Sequence, residues 1–266
     1  MNILYIGDVM GELGLKTVER VLPELRSTRQ IDLVIAQAEN VTDGKGIDRT
    51  DFARLRKAGV DFCTGGNWSI HNNDIFAALS DPAQPIIRPA NYPEGTPGLG
   101  YKYIEAAGKT VLVVSLLGHI VGRDADNPTD NPLLVIDQIL DAEKDKPKDA
   151  VVINFHGDFS SEKVVIGHYL DGRATLVVGD HWHVPTADAR VLPGGTAHIS
   201  DVGMCGALDA SLGVSFDSVI PRWRDGHQTK NVLVMDGPTQ FNAVLVSGND
   251  AGLAISIEQI QIFSEG

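Results

Sequence analysis

Short apolar runs alternate with helix-type segments along most of the chain, and this alternation constrains the fold more than any other feature. It predicts strands near residues 3–7, 33–38, 61–64, 101–106, 111–117, 150–155 and 174–179. Helices are predicted near residues 15–28, 50–58, 71–79, 132–144 and 161–170, with Asp48 and Asn131 as N-caps and Pro132 at a first helical position. Half-exposed strands follow near residues 241–246 and 253–263. We therefore expect a layered α/β fold with an antiparallel or mixed closing part, formed by residues 1–266 as a single domain.

The charge balance limits the class of ligand. The formal net charge is −13 at pH 7, so most of the surface would repel a nucleic-acid backbone, and stable coating of DNA or RNA is not expected. A small anionic substrate remains compatible with this charge where bound cations reverse the local field.

The location is predicted to be cytoplasmic. No secretory signal precedes the first predicted strand, and no apolar run approaches the length of a membrane span, so no membrane partner is expected. Cys63 and Cys205 are the two cysteines of the chain and lack a metal-type spacing. We expect both to be reduced thiols.

Ligand-type side chains follow five predicted strands at the point where each strand ends. They are Asp8, Glu39 with Asn40, Asn67, His156, and His181 with His183. Each of them alone has an ordinary interpretation as a turn former, a helix cap or a hydrogen-bonded core residue. Because ligands bind beyond the carboxyl ends of strands in open α/β sheets, we expect these side chains to converge.

The types of these residues favour a transition-metal site. Carboxylates, amide oxygens and imidazoles together suit Mn, Fe or Zn better than Mg or Ca. In an extended segment His181 and His183 would point to the same side and hold neighbouring ions. Glu39 is our candidate for a ligand that bridges two cations. The two cations would generate hydroxide from bound water at neutral pH and neutralise the charge of a phosphate ester.

Several motifs, in order along the chain, resemble the YmdB-like family of calcineurin-like metallophosphoesterases. They are Gly7-Asp8-Val9-Met10-Gly11, Glu39-Asn40, Gly66-Asn67, Thr96-Pro97-Gly98, Leu116-Leu117-Gly118, Phe155-His156 with Ser161-Glu162-Lys163, His181-Trp182-His183-Val184-Pro185-Thr186-Ala187-Asp188 and Asp201-Val202-Gly203-Met204. The resemblance implies a four-layered α/β/β/α sandwich and a phosphodiesterase acting on 2′,3′-cyclic nucleotides. It also implies Fe or Mn as the ions and assembly into homodimers or homotetramers.

The resemblance further implies how the ligands divide between two metal ions. One ion would be held by Asp8, Glu39, Asn40 and His183. The other would be held by Glu39, Asn67, His156 and His181.

The chain departs from the family at the position of the catalytic acid. The family reads Gly-Asn-His-Thr-Trp-Asp, in which the histidine protonates the leaving group, whereas this chain has Trp68 after Asn67. An indole N–H cannot transfer a proton at neutral pH. His71 is a candidate substitute, and its ordinary interpretation is a solvated residue of a first helical turn; His119 is another candidate, by default a loop histidine.

These observations predict a metal-dependent phosphodiesterase that cleaves small phosphate esters by metal-hydroxide attack. Two alternatives stay open: a metal- and nucleotide-binding regulatory protein with weakened catalysis, and a phosphomonoesterase. Two weaker signals are Lys45, in a glycine turn that either binds an anion or is merely exposed, and Trp223, in a segment that forms either an interface or a surface loop.

Overall fold

Two β-sheets pack face to face, and α-helices cover the outer face of each sheet. A computed structural model of the chain describes residues 1–122 and 125–265. Its strands are β1 (Asn2–Ile6), β2 (Asp8–Val9), β3 (Leu33–Gln37), β4 (Phe62–Thr64), β5 (Tyr101–Ala106), β6 (Lys109–Leu117), β7 (Ala150–His156), β8 (Leu176–Asp180), β9 (Arg190–Val191), β10 (Ala197–Ile199), β11 (Met204–Ala207), β12 (Thr239–Gly248) and β13 (Ala254–Ser264). Its α-helices are α1 (Gly11–Thr28), α2 (Arg49–Ala58), α3 (Phe76–Ser80), α4 (Pro132–Ala142), α5 (Ser160–Tyr169) and α6 (Phe216–Asp225).

The topology combines parallel and antiparallel pairing. In the first sheet the order is β2-β11-β12-β1-β3-β4, with β13 antiparallel to β12, and β1, β3 and β4 are parallel. In the second sheet the order is β5-β6-β7-β8-β10-β9, in which β6, β7 and β8 are parallel. The C-terminal strands β12 and β13 pair antiparallel, so the predicted antiparallel or mixed closing part is confirmed.

The period-two pattern of the strands explains the layers. Along β1, Ile3 and Tyr5 face the second sheet, where they belong to the same buried cluster as Val113 of β6. The alternate residues Leu4 and Ile6 pack with the helices α1 and α2. A third cluster joins β6 and β7 to α4 and α5. Because both faces of the central strands are apolar and covered, the result is the expected four-layered α/β/β/α sandwich.

Most predicted elements are confirmed with shifted ends, and three expectations need correction. The predicted helix at 71–79 is a short 3₁₀ turn at Asn73–Ile75 followed by α3, so it begins after His71. The segment around Trp223 is the helix α6 and not a loop; Pro221 inside it masked the helical pattern. Helix α1 begins earlier than predicted, and Gly14 lets it approach β11, since a Cβ there would lie 2.3 Å from the carbonyl oxygen of Cys205.

Other local predictions hold. The side chains of Asp48 and Asn131 cap α2 and α4, each accepting a hydrogen bond from a backbone N–H in the first turn. Cys63 and Cys205 are free and buried. Among the described residues, no helix is both long enough and apolar enough to cross a bilayer.

Candidate metal centre

The predicted ligand residues meet where the carboxyl ends of the two sheets come together. Asp8 begins β2, directly after β1, and the other ligands of the first sheet follow β3 and β4. His156 ends β7 of the second sheet, and His181 and His183 follow the neighbouring strand β8. Parallel pairing places these strand ends at one edge, so residues distant in sequence become neighbours.

One group of side chains surrounds Nε2 of His156. This nitrogen lies 3.1 Å from Oε1 of Glu39 and 3.0 Å from Oδ1 of Asn67. The ring centroid of His181 is 4.4 Å from that of His156. One ligand atom each from Glu39, His156 and His181 lie within 4.8 Å of one another, which is a spacing that one metal ion can span.

A second group lies around His183. Its Nε2 is 3.3 Å from Oδ1 of Asn40 and 3.8 Å from Oδ1 of Asp8. The other carboxylate oxygen of Asp8 accepts a hydrogen bond of 3.1 Å from the backbone N–H of His181, which joins the two groups. The structure thus brings all seven predicted ligands into one buried or half-buried cluster.

The residues of this cluster fit bound cations. Within the described part of the chain, the fully buried Oδ1 of Asp8 has no hydrogen-bond partner. Burial and then the charge of Asp180 raise the pKa of Asp8 well above its ordinary value, and the charge of His156 offsets this rise only in part. Burial, with the neighbouring charge of His181, lowers the pKa of His183 to about 4, so its imidazole is neutral at pH 7, as a metal ligand must be.

Asp180 orients His156 and was missed as a functional residue by the sequence analysis. Nδ1 of His156 donates to Oδ1 of Asp180 over 2.7 Å, which turns Nε2 toward the other ligands. The second oxygen of Asp180 accepts from the hydroxyl of Tyr5 at 2.8 Å and from Nε2 of Gln37 at 3.1 Å. A metal-binding histidine usually donates its second ring N–H to a carboxylate, which fixes the orientation of the ring. Its only sequence signal was an acidic residue directly before His181.

The segment that carries His181 and His183 is a bent turn, and the expected extended conformation is wrong. Both histidines have positive φ angles, 105° and 61°, which are unfavourable for residues other than glycine. The N–H of Trp182 between them donates to Oδ2 of Asp201 at 2.9 Å. Tertiary contacts therefore hold the turn, and the two imidazoles reach the same centre by a route that the alternation of side chains did not predict.

A buried ion pair stabilises the turn that carries His181 and His183. Nζ of Lys163 lies 2.6 Å from Oδ2 of Asp201 and 2.6 Å from the carbonyl oxygen of Asp180, and both charged side chains are fully buried. The same ammonium lies 4.1 Å from the centroid of the Trp182 ring. The indole Nε1 of Trp182 donates to the carbonyl oxygen of Asp158 at 3.0 Å.

Gly66 and Trp68 fix Glu39 from the other side. A Cβ at Gly66 would lie 2.4 Å from Oε2 of Glu39 and 2.4 Å from Cδ2 of His156, so a larger residue would displace the ligands. The backbone N–H of Trp68 donates to Oε2 of Glu39 at 2.9 Å.

Neither candidate substitute for the catalytic acid, His71 or His119, lines the cleft over the metal centre. The exposed His71 packs edge-on against the Trp68 ring, at 5.2 Å between centroids, and does not line the cleft into which Trp68 faces. His119 is hydrogen-bonded to Glu162 and lines a different pocket. A role of His71 in place of the family's acid stays a prediction.

A cleft of about 430 Å³ opens over the centre. Its wall includes Glu39, Asn40, His181 and His183. The glycine turn that contains Lys45 and the helix α6 also contribute to it. A volume of this size accommodates a small organic ligand.

The chain is similar to known proteins over nearly its whole length. A family model described as YmdB-like protein matches residues 4–260. The 2′,3′-cyclic-nucleotide 2′-phosphodiesterase of Bacillus subtilis (strain 168) is 39% identical over 263 residues, which make up 98% of this chain and 97% of that protein. A crystal structure of a novel phosphatase from Mycoplasma pneumoniae superposes with a TM-score of 0.90 at 30% identity, covering 100% of this chain and 94% of that chain.

A more distant neighbour defines the fold class. The crystal structure of a 5′-nucleotidase precursor from Thermus thermophilus has a TM-score of 0.58 at 12% identity and covers 100% of this chain and 54% of that chain. This likeness concerns the fold alone, and with it the expected calcineurin-like class is confirmed.

Proposed function

The chain belongs to the YmdB-like protein family, and from this premise we propose that it is a phosphodiesterase that uses two metal ions to hydrolyse small phosphate esters, 2′,3′-cyclic nucleotides foremost among them. The observation that carries the proposal is the convergence of seven ligand-type side chains at the carboxyl ends of strands from both sheets. The names of the relatives, a cyclic-nucleotide phosphodiesterase and a phosphatase, support the phosphoesterase role.

We assign the ligands of the two ions as the family motif suggests. Asp8, Asn40 and His183 would hold one ion, and the unpaired oxygen of Asp8 supports this assignment. Asn67, His156 and His181 would hold the other. Glu39 would bridge them. When bound, the ions supply Lewis acidity that activates water and neutralises the phosphate; iron or manganese suits this donor set, and zinc is compatible with it.

The chain's own residues orient this chemistry. Asp180 holds the ring of His156, and the N–H of Trp68 fixes one oxygen of Glu39, so both ligands are set before a substrate enters. Protonation of the leaving group is the step for which Trp68 is unsuited.

Trp68 also supports a second candidate function, a metal- and nucleotide-binding regulatory protein with little turnover. Substituting Trp68→His tests it, because a positioned general acid contributes roughly 10²–10⁴-fold to the rate. A gain of that order would show that the wild-type centre lacks its acid and would favour the regulatory role. An unchanged rate would show that another group, such as His71, already donates the proton.

The direct test is hydrolysis of 2′,3′-cyclic AMP and of bis(p-nitrophenyl) phosphate by protein loaded with manganese or iron. Asp8→Asn serves as the control, since it removes one ligand charge while keeping the shape of the side chain. We expect turnover of both diesters by the wild type and its loss in the control. Equal rates in the two proteins would refute the proposal, and faster cleavage of p-nitrophenyl phosphate than of either diester would indicate a phosphomonoesterase.

The resemblance also suggests a homodimer or homotetramer. Sedimentation of the metal-loaded protein at several concentrations would measure the assembly state. A monomer at all concentrations would contradict this part of the proposal.

A further inference from the structure

All three tryptophans of the chain line the cleft over the candidate metal centre. Two of them are already in contact with cationic or polar groups of the protein. Trp182 covers the ammonium of Lys163, and Trp68 has Nζ of Lys45 at 5.0 Å from its ring centroid. Trp223 differs from both, because its side chain is 82% exposed. In the part of the chain that the structure describes, its indole has no hydrogen-bond or ring partner.

The helix that carries the exposed indole is nevertheless held in place. Trp223 lies on α6, and Val219 of this helix packs against Met10 and Met204 below the cleft. The neighbouring Arg222 ties the end of the helix to the following segment through Nη2, which donates to the carbonyl oxygen of Thr229 at 3.0 Å and to Oδ1 of Asn231 at 2.8 Å. An indole has only two side-chain torsions, so on a fixed helix at the mouth of a cleft it loses limited conformational entropy when a flat ligand stacks on it.

The wall of the cleft also carries positive charge. Lys45 and Arg222 both line it, beside the carboxylates of Glu39 and Asp158, although the whole chain has a net charge of −13. Within the described residues, no carboxylate lies within 4.0 Å of either cation in an ion pair. A ligand with a flat aromatic part and a negative phosphate would match the two kinds of surface.

We infer that Trp223 is the residue that stacks on the base of a nucleotide bound in this cleft, so that the enzyme selects base-bearing phosphate esters over base-free ones. The inference rests on the proposed function, which it deepens by naming the part of the substrate that is recognised. Lys45 would stabilise the negative charge of the same ligand. A purine offers the larger ring face and should be preferred to a pyrimidine.

The exposed apolar side of α6 has a second interpretation as a contact surface for another copy of the chain. Phe216, Ile220 and Trp223 form a stripe at helical spacing, each about half or more exposed. Of these three residues, Trp223 alone lines the cleft. This difference favours a ligand for Trp223, and it makes Phe216→Ala a matched control on the same helix.

Calorimetric titration of the metal-loaded full chain tests the inference with two probes, adenosine 3′-phosphate and ribose 3-phosphate, which share the phosphorylated ribose; the second has a hydroxyl group in place of the base. We expect the wild type to bind the nucleotide about 5- to 150-fold more tightly, the range of one base–aromatic stack. Trp223→Ala should abolish this preference and leave the affinity for ribose 3-phosphate unchanged. Trp223→Phe should keep most of it, and Phe216→Ala all of it.

Three results would overturn the inference: equal affinity of the wild type for the two probes, binding of neither, or an undiminished preference in Trp223→Ala. A changed sedimentation coefficient of Trp223→Ala, together with an undiminished preference, would instead assign the indole to an interface between copies. Failure of the proposed function would be detected by a different assay, the hydrolysis of the cyclic diester. In that case 2′,3′-cyclic AMP would not be hydrolysed, while the calorimetric base preference would still be measured.

Discussion

Replacing Lys163 by methionine removes the charge that supports the turn bearing His181 and His183. The ammonium and its partner Asp201 are both fully buried, at 2.6 Å from each other. After Lys163→Met, Asp201 would keep its hydrogen bonds from the N–H groups of Trp182 and Gly203, each 2.9 Å long, but its charge would have no counter-charge. Breaking a buried pair in this way costs roughly 3–5 kcal/mol of unfolding free energy.

The loss can be measured by urea unfolding followed by tryptophan fluorescence and circular dichroism. A lower midpoint at an unchanged m-value would report a loss of stability. A cost of this size corresponds to a fall in Tm of about 6–20 °C. We also expect a lower metal content, since the turn presents two of the candidate ligands.

The control is Lys144→Met, which breaks an exposed ion pair with Asp141 at 3.0 Å, where both side chains are more than half exposed. Such pairs contribute about 0–1 kcal/mol. The double variant Lys163→Met/Asp201→Asn should be more stable than Lys163→Met alone, because it leaves no buried charge. If Lys163→Met unfolds at the same urea concentration as Lys144→Met, the assigned role of the ion pair is wrong.

The pH dependence supplies an independent check on Lys163→Met. Burial raises the pKa of Asp201, and Lys163 opposes that rise. Without Lys163 the pKa of the folded state rises further above that of the unfolded chain, so protonation of Asp201 favours folding of the variant as the pH falls. The stability gap between variant and wild type should therefore narrow from neutral pH toward the ordinary range of an aspartate. A gap that widens on acidification would contradict this account.

Three further predictions concern the metal centre. Gly66→Ala should abolish metal retention measured by elemental analysis, because its Cβ would lie 2.4 Å from both Glu39 and His156, whereas Gly248→Ala, with its nearest contact at 3.3 Å, should retain the ions. Asp180→Asn should weaken metal affinity about 10- to 100-fold in competition with a chelating dye, without a change in circular dichroism, and unchanged affinity would exclude its supporting role. Chelation of the wild type should lower its Tm, and restored metal should recover it; an unaltered Tm would argue against a site that is coupled to folding.

The predicted ligands were accessible from the sequence because strand ends are local features. A mostly apolar run such as residues 33–37 predicts both a strand and the position of the polar residue that follows the strand. Parallel pairing then brings such successors to one edge whatever their separation in the chain. The closeness of Asp8 and Glu39 follows from this rule, whereas His156 belongs to the second sheet and meets them because the two sheets pack face to face.

The supporting residues could not be predicted in the same way. Asp180 and Lys163 have no periodic or spacing signal, and their roles come from partners far away in sequence, such as Tyr5 and Asp201. Pro221 interrupts the helical pattern of α6 in the sequence, and the helix is held in place by packing on Met10 and Met204. The cleft wall that it forms, with Trp223 at its rim, is therefore a product of tertiary packing.

The order of apolar and polar residues by itself determined the alternation of strands and helices, the strand ends and the kinds of atom offered there, since these depend on spacing of a few residues. The backbone conformation of His181 and His183 was decided only by the folded structure. Positive φ angles at both histidines are locally unfavourable. They persist because Asp201, paired with the buried Lys163 of α5, accepts the hydrogen bond that the N–H of Trp182 between them donates.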